Sequence, residues 1–273
     1  MTITQSRLRF RSFRLAVIAA AVLTTSSVFA QEAENADELA KKLSNPVSSL
    51  VSVPFQNNFD FGFANDGYQY KLNIQPVIPI SLSKDWNLIA RVIVPFIHQE
   101  NVIGRSSQTG LSDTVASFFL SPAQPTKSGI TWGLGPVMLV PTATEDLLGT
   151  EKWGAGPTAV ILQQKGQLTY GALVNHIWSF AGESSRSEVN STFLQPFFSV
   201  GLGQGRTITL NSESTYDWHN EQWTIPFNLV YSKVFKIGRQ MLQWQIGGRV
   251  YAASPSGGPD WGIRAGLVLL FPK

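Results

Sequence analysis

The chain has no cysteine, so disulfides and thiol chemistry are excluded. Its three histidines, His98, His176 and His219, are too scattered to suggest a metal-ligand set. Charged residues make up only 14% of the chain, and no apolar run after Ala30 approaches the roughly 18 residues of a membrane helix. A mature chain of this kind can cross a membrane only as strands closed on themselves, because lipid cannot satisfy an open sheet edge.

What the chain does have begins with an export signal over residues 1–30. Arg7, Arg9, Arg11 and Arg14 form its basic region, and Leu15 to Leu23 its apolar core. That core is too short to span a bilayer, which argues against an uncleaved anchor. Val28-Phe29-Ala30 fits a cleavage site between Ala30 and Gln31. Of 21 Lys+Arg, four lie in this signal, leaving 17 basic against 18 acidic residues. The basic balance therefore belongs to targeting and points to no nucleic-acid partner.

Residues 31–50 read as a short periplasmic lead-in: a helix over Gln31 to Leu43, an Asn35/Glu38 capping box, and Pro46 as its stop. A plug entering the lumen is less expected at this length. Residues 51–273 read as about twelve strands: 51–63, 69–82, 86–99, 111–121, 129–140, 152–163, 168–181, 191–202, 206–217, 222–235, 241–253 and 261–272. The even-to-odd joints are mostly tight, and the odd-to-even joints are often longer, as in a bacterial outer-membrane barrel with both termini periplasmic.

The strands alternate. Trp261, Ile263, Ala265, Leu267, Leu269 and Phe271 share one face of the last, with Gly262, Arg264 and Gly266 on the other. Trp223, Ile225, Phe227, Leu229 and Tyr231 oppose Thr224, Asn228 and Ser232 in the tenth. A soluble sandwich would alternate as well, but the tryptophans separate the two readings. Trp86, Trp132 and Trp244 fall near one set of strand ends, and Trp153, Trp178, Trp218, Trp223 and Trp261 near the other, as interfacial belts do. The fold class expected is all-β, a closed antiparallel transmembrane β-barrel with a short N-terminal periplasmic helix. Seven in-strand prolines, Pro76, Pro79, Pro95, Pro136, Pro157, Pro196 and Pro226, demand bulges or bends. With Val140 opposite Trp153, Pro136 faces Pro157 in a locally kinked wall.

That hairpin echoes itself: Trp132-Gly133-Leu134-Gly135-Pro136 and Trp153-Gly154-Ala155-Gly156-Pro157, joined through PTATEDLLGTEK. With NPVSSLVSVPFQNNFDFG (Asn45 to Gly62) and NIQPVIPISLSKDWNLIARVIVPFI (Asn73 to Ile97), it resembles a family of bacterial outer-membrane proteins labelled for a meta-pathway of phenol degradation, or simply as transporters. The resemblance covers nearly the whole mature chain. It implies an outer-membrane barrel with a transport role and carries no catalytic residues.

The charges expected to line the lumen are Asp60, Lys71, Arg91, Asp113, Glu213, Arg249 and Arg264. Arg249 and Arg264 fall toward the outer mouth, where they would form a cationic constriction or solute-attracting patch. Ile89, Ile93, Val115, Leu173, Ile177, Phe193 and Phe197 also point inward, either to meet an amphipathic or aromatic solute or as ordinary packing. Glu145, Asp146 and Glu151 match no calcium-loop spacing and read as a solvated loop. His176 lies near Ser179 and Asn175, but positions three apart on a strand face opposite sides, so a hydrolase is the weaker reading. Expected partners are membrane lipid and a small polar or amphipathic solute crossing passively, with no metal or cofactor. The alternative is a non-conducting structural or surface-interaction barrel.

Overall fold

A computed structural model describes residues 34–272; the expected signal and its cleavage site at Ala30 and Gln31 lie outside them. The chain forms a helix over residues 34–43 and fifteen strand segments in one antiparallel sheet. The segments are β1 (Val51–Phe61), β2 (Tyr68–Ile74), β3 (Val77–Ser81), β4 (Trp86–Glu100), β5 (Ser107–Leu111), β6 (Thr114–Pro122), β7 (Ile130–Val140), β8 (Lys152–Lys165), β9 (Leu168–Gly182), β10 (Asn190–Gly203), β11 (Arg206–Ser212), β12 (Ser214–Asp217), β13 (Gln222–Ile237), β14 (Gln240–Ala253) and β15 (Trp261–Phe271).

β2 with β3, β5 with β6, and β11 with β12 are each one traverse broken in the middle, so the wall has twelve spans. β1 pairs with β15 along its whole length, from Val51↔Phe271 to Phe61↔Trp261, which closes the barrel and removes its edges. The fourth traverse starts earlier than the sequence suggests. Residues 107–111 pair with β4 above Phe96, where Gln69 donates to Gln99 (2.6 Å) and Gln99 to Gln108 (2.9 Å).

The register confirms the faces. Phe59↔Tyr70, Leu229↔Gly248 and Gly248↔Ile263 share the outside; Asn58↔Lys71, Asn228↔Arg249 and Asn58↔Arg264 share the inside. Large apolar side chains such as Leu134, Ile161, Leu229, Ile246 and Val250 are exposed on the outer wall. The aromatic belts are present too: Trp86 and Trp132 meet edge-on at one end (5.9 Å between centroids), and Tyr216 contacts both Trp218 and Trp223 at the other (4.8 Å each).

The prolines sit where the ladder yields. Pro76 lies at the β2/β3 break, and Pro226 at a register shift against β14. Pro136 faces Pro157. On their outer sides, β6–β7 pairing jumps from Ser117↔Val137 to Leu120↔Leu134, and β8–β9 pairing from Ala155↔Trp178 to Thr158↔Asn175. The flanking backbones press inward there: a Cβ on Gly135 would strike the Phe118 carbonyl, and one on Gly156 the His176 carbonyl. The twin Gly-Pro sequences thus build one symmetric kink.

The expected N-terminal helix forms, but its cap and its surroundings differ from the expectation. Asn35 lies inside the helix, where it cannot act as the N-cap. Instead of standing clear of the barrel, the segment enters it. Leu39 and Ala40 are buried with Leu50, Val234, Val268 and Leu270, with Ala36 and Leu43 against the same cluster. Val47 packs among Ile89, Phe119, Val160, Leu162 and Leu173. The Gly205 N–H donates to Asp37 Oδ1 (2.5 Å), and Gln164 Nε2 to the Lys41 carbonyl (2.9 Å). Inward apolar side chains at the terminal end need cover from water, and the helix's apolar stripe supplies it.

Candidate functional site: the lumen

The interior is divided lengthwise. On β4 and β6 to β9 the inward apolar residues pack in two buried clusters: Ile89, Phe119, Val160, Leu162 and Leu173 in one, and Val137, Leu139 and Ile177 in the other. This half is filled like a soluble core. Of the apolar residues expected to point inward, Ile89, Leu173 and Ile177 are buried in this packing, and Val115 lies partly buried against it. Phe193 and Phe197 lie partly buried against the first cluster. The other half, from β10 through β15 to β3, is polar beyond the helix-covered cluster of Val234, Val268 and Leu270. Asn228 donates to Asn211 (2.8 Å), Ser199 and Thr209 share a hydrogen bond (2.8 Å), and Gln243 and Gln245 point inward beside them.

Four of the seven expected luminal charges meet as two pairs. Arg249 on β14 reaches Asp60 on β1 at 3.4 Å, passing over β15. It can do so because the intervening inward position is Gly262, where a Cβ would lie 2.9 Å from Arg249 Cγ and against the Asp60 carboxylate. Arg264 on β15 clamps Glu213 with both terminal nitrogens (2.9 and 2.6 Å), and its Nε donates to Asn58 (2.8 Å). Glu213 is the residue at the β11/β12 break, so the wall opens where its carboxylate turns to the arginine. Each arginine of the expected constriction therefore has its own carboxylate. That follows from the cost of leaving a buried guanidinium unpaired.

Two cations are left. Among the described residues, neither Lys71 nor Arg91 has a carboxylate at ion-pair distance. Arg91 is half-buried and spends one nitrogen on Gln75, at the β2/β3 break (3.1 Å). Asp113 does not join the other charges. One of its oxygens accepts from the backbone N–H (2.6 Å) and hydroxyl (2.6 Å) of Thr150, and the other from Ala143 N–H (3.3 Å), so it pins the 141–151 loop. The acidic residues of that loop are tied from the side: Arg186 donates to the Asp146 carbonyl (2.6 Å) and lies 3.7 Å from Glu151.

Three cavities follow the polar half. A vestibule of about 760 Å³ lies at the loop end among Thr150, Glu188, Asn190, Thr215, Gln222 and Thr224. Two chambers of about 180 Å³ each lie deeper. Both are lined by Arg91, Gln195, Leu43 and Pro46, so the N-terminal segment forms part of their wall. Sequence alone does not mark residues 43–47 as luminal, although Ala36, Leu39, Ala40 and Leu43 carry helical apolar spacing.

The strand histidines face outward. His176 Nδ1 pairs with Thr192 Oγ1 (2.7 Å) beside Trp178 and Trp218, while Ser179 donates to Glu188. His98 lies between Tyr68 (3.1 Å) and Thr109 (2.7 Å). Among the described residues no serine hydroxyl is hydrogen-bonded to a histidine ring.

The fold defines a closed twelve-stranded antiparallel barrel with an apolar outer wall and a partly polar interior. A solved structure shares it. The COG4313 outer membrane channel from Pseudomonas putida F1 superposes with a TM-score of 0.63 at 16% identity, over 81% of this chain and 94% of that one. The KdgM porin gives 0.46 at 11% identity, over 81% and 99%. Outer membrane phospholipase A from Escherichia coli gives 0.48 at 13% identity, over 80% and 90%. No protein-family model matches the chain, and no curated protein matches it.

Proposed function

We propose that this chain is a bacterial outer-membrane channel through which small polar or amphipathic solutes pass passively, with anions favoured. The export signal read in residues 1–30 and the apolar outer wall support the location. The fold shared with the COG4313 outer membrane channel supports the role. The observation that carries the reading is the polar half of the lumen. It holds a loop-end vestibule and two deeper chambers lined by Arg91, and among the described residues Lys71 and Arg91 have no carboxylate at ion-pair distance, whereas Arg249 and Arg264 hold Asp60 and Glu213. An unpaired guanidinium such as Arg91's, lining a narrow chamber, raises the local concentration of anions.

A second reading, a non-conducting barrel, has one observation in its favour: residues 34–47 pack into the terminal end. Planar-bilayer recording of the full chain and of a variant lacking residues 34–47 separates the two. The channel reading expects small anion-preferring steps from the full chain and severalfold larger ones from the truncation. Silence from both, with no uptake change on deletion of the gene, would leave the non-conducting barrel.

A further inference from the structure

We infer that Arg91 heads a binding site for a small monocarboxylate with a compact apolar body, seated between the N-terminal segment and the Arg264–Glu213 clamp. The site rests on the reading of the polar half-lumen as the solute's path. Arg91 stands on β4 and Gln195 on β10, on opposite sides of the barrel, yet both line the same two chambers. Gln75 fixes the guanidinium through one nitrogen. A planar fork held on one side presents its remaining N–H groups in the geometry that a carboxylate takes bidentately.

The surroundings set the charge of the ligand. Arg264 already holds Glu213 and Asn58, so among the described residues Arg91 is the guanidinium of the chambers without a carboxylate at ion-pair distance. Glu213 lines the same chamber, and its carboxylate repels a second negative charge. A monoanion satisfies this arrangement, whereas a dianion such as phosphate does not.

They also set its body. Phe197 lines one chamber, and Leu43 and Pro46 line both. About 180 Å³ is room for about six waters, each taking about 30 Å³ of liquid, or for one ring-sized apolar group. A carboxylate on Arg91 with its body against Phe197 and Pro46 covers apolar surface and satisfies the guanidinium together.

The test uses the full chain purified in detergent, titrated with cyclohexanecarboxylate by calorimetry at constant ionic strength. Cyclohexanecarboxamide serves as the uncharged counterpart and chloride as the plain anion. The site predicts saturable binding of the carboxylate, weakened about tenfold or more by Arg91→Gln and recovered in part by Arg91→Lys. It predicts no binding of the amide. Gln195→Leu, on the far wall, weakens binding without touching the charge. Circular dichroism and resistance to unfolding in detergent identify variants that keep the barrel, and only these are compared. Equal binding to wild type and Arg91→Gln, equal binding of the amide, or equal displacement by chloride would each overturn the site. Because calorimetry needs no conduction, current without carboxylate binding sinks this site alone, and binding without current sinks the passage reading alone.

Discussion

Gly262 shows how much one missing side chain can decide. Arg249 crosses the last strand to Asp60 only because position 262 leaves the gap open. Gly262→Ala should therefore destabilise the barrel by about 1–3 kcal/mol through overpacking, as measured by urea unfolding in lipid or detergent. Asp60→Asn alone strands the Arg249 charge and should cost about 3–5 kcal/mol, whereas Asp60→Asn with Arg249→Met should recover much of the loss. If the double variant were no better than the single one, the pairing account of these charges would be wrong. At the loop end, Glu188 accepts from the Ser179 hydroxyl and from Lys152, and these contacts hold its carboxyl below the usual range. His219 adds a smaller pull in the same direction. A depressed carboxyl contributes its anchoring above the unfolded pKa and loses it as pH falls through the folded one. The 183–189 loop should thus loosen only in acid, below the ordinary carboxylate range. Carboxyl NMR titration checks this, and Ser179→Ala should move the midpoint back up.

At the scale of elements, the strand faces were legible because alternation is local. Each of the expected spans overlaps a traverse of the wall, and the Pro136–Pro157 pairing follows from hairpin register alone. The breaks were not legible. Glu213 and Asp113 look like ordinary inward positions in sequence, and only the closed barrel shows that one turns to Arg264 and the other to the 141–151 loop. Nor could spacing pair Glu213 with Arg264, 51 positions apart. The helix was half legible: its apolar stripe was present, but a stripe does not say what it covers. Leu39→Asp should lift the helix from Leu50, Val234, Val268 and Leu270, and so raise conductance while leaving the strand circular-dichroism signal unchanged. An unchanged conductance would mean that the segment does not limit the path.

At the scale of the whole molecule, two solvents act on one wall. The outside is apolar between two aromatic belts, and the inside is split into a packed half and a polar half. Leu229→Arg, on the exposed outer wall, should cost about 2–4 kcal/mol of folding stability if that position lies near the bilayer midplane. The absence of cysteine makes the decisive test clean. Single cysteines at Gln245, which lines a polar chamber, and at Ile246, its outward neighbour, differ only in the face they occupy. The measurement is the current through each reconstituted barrel before and after a charged, water-soluble thiol reagent. The account predicts a stepwise change of current for Gln245→Cys and none for Ile246→Cys. The same response from both positions, or a changed current from Ile246→Cys alone, would contradict it.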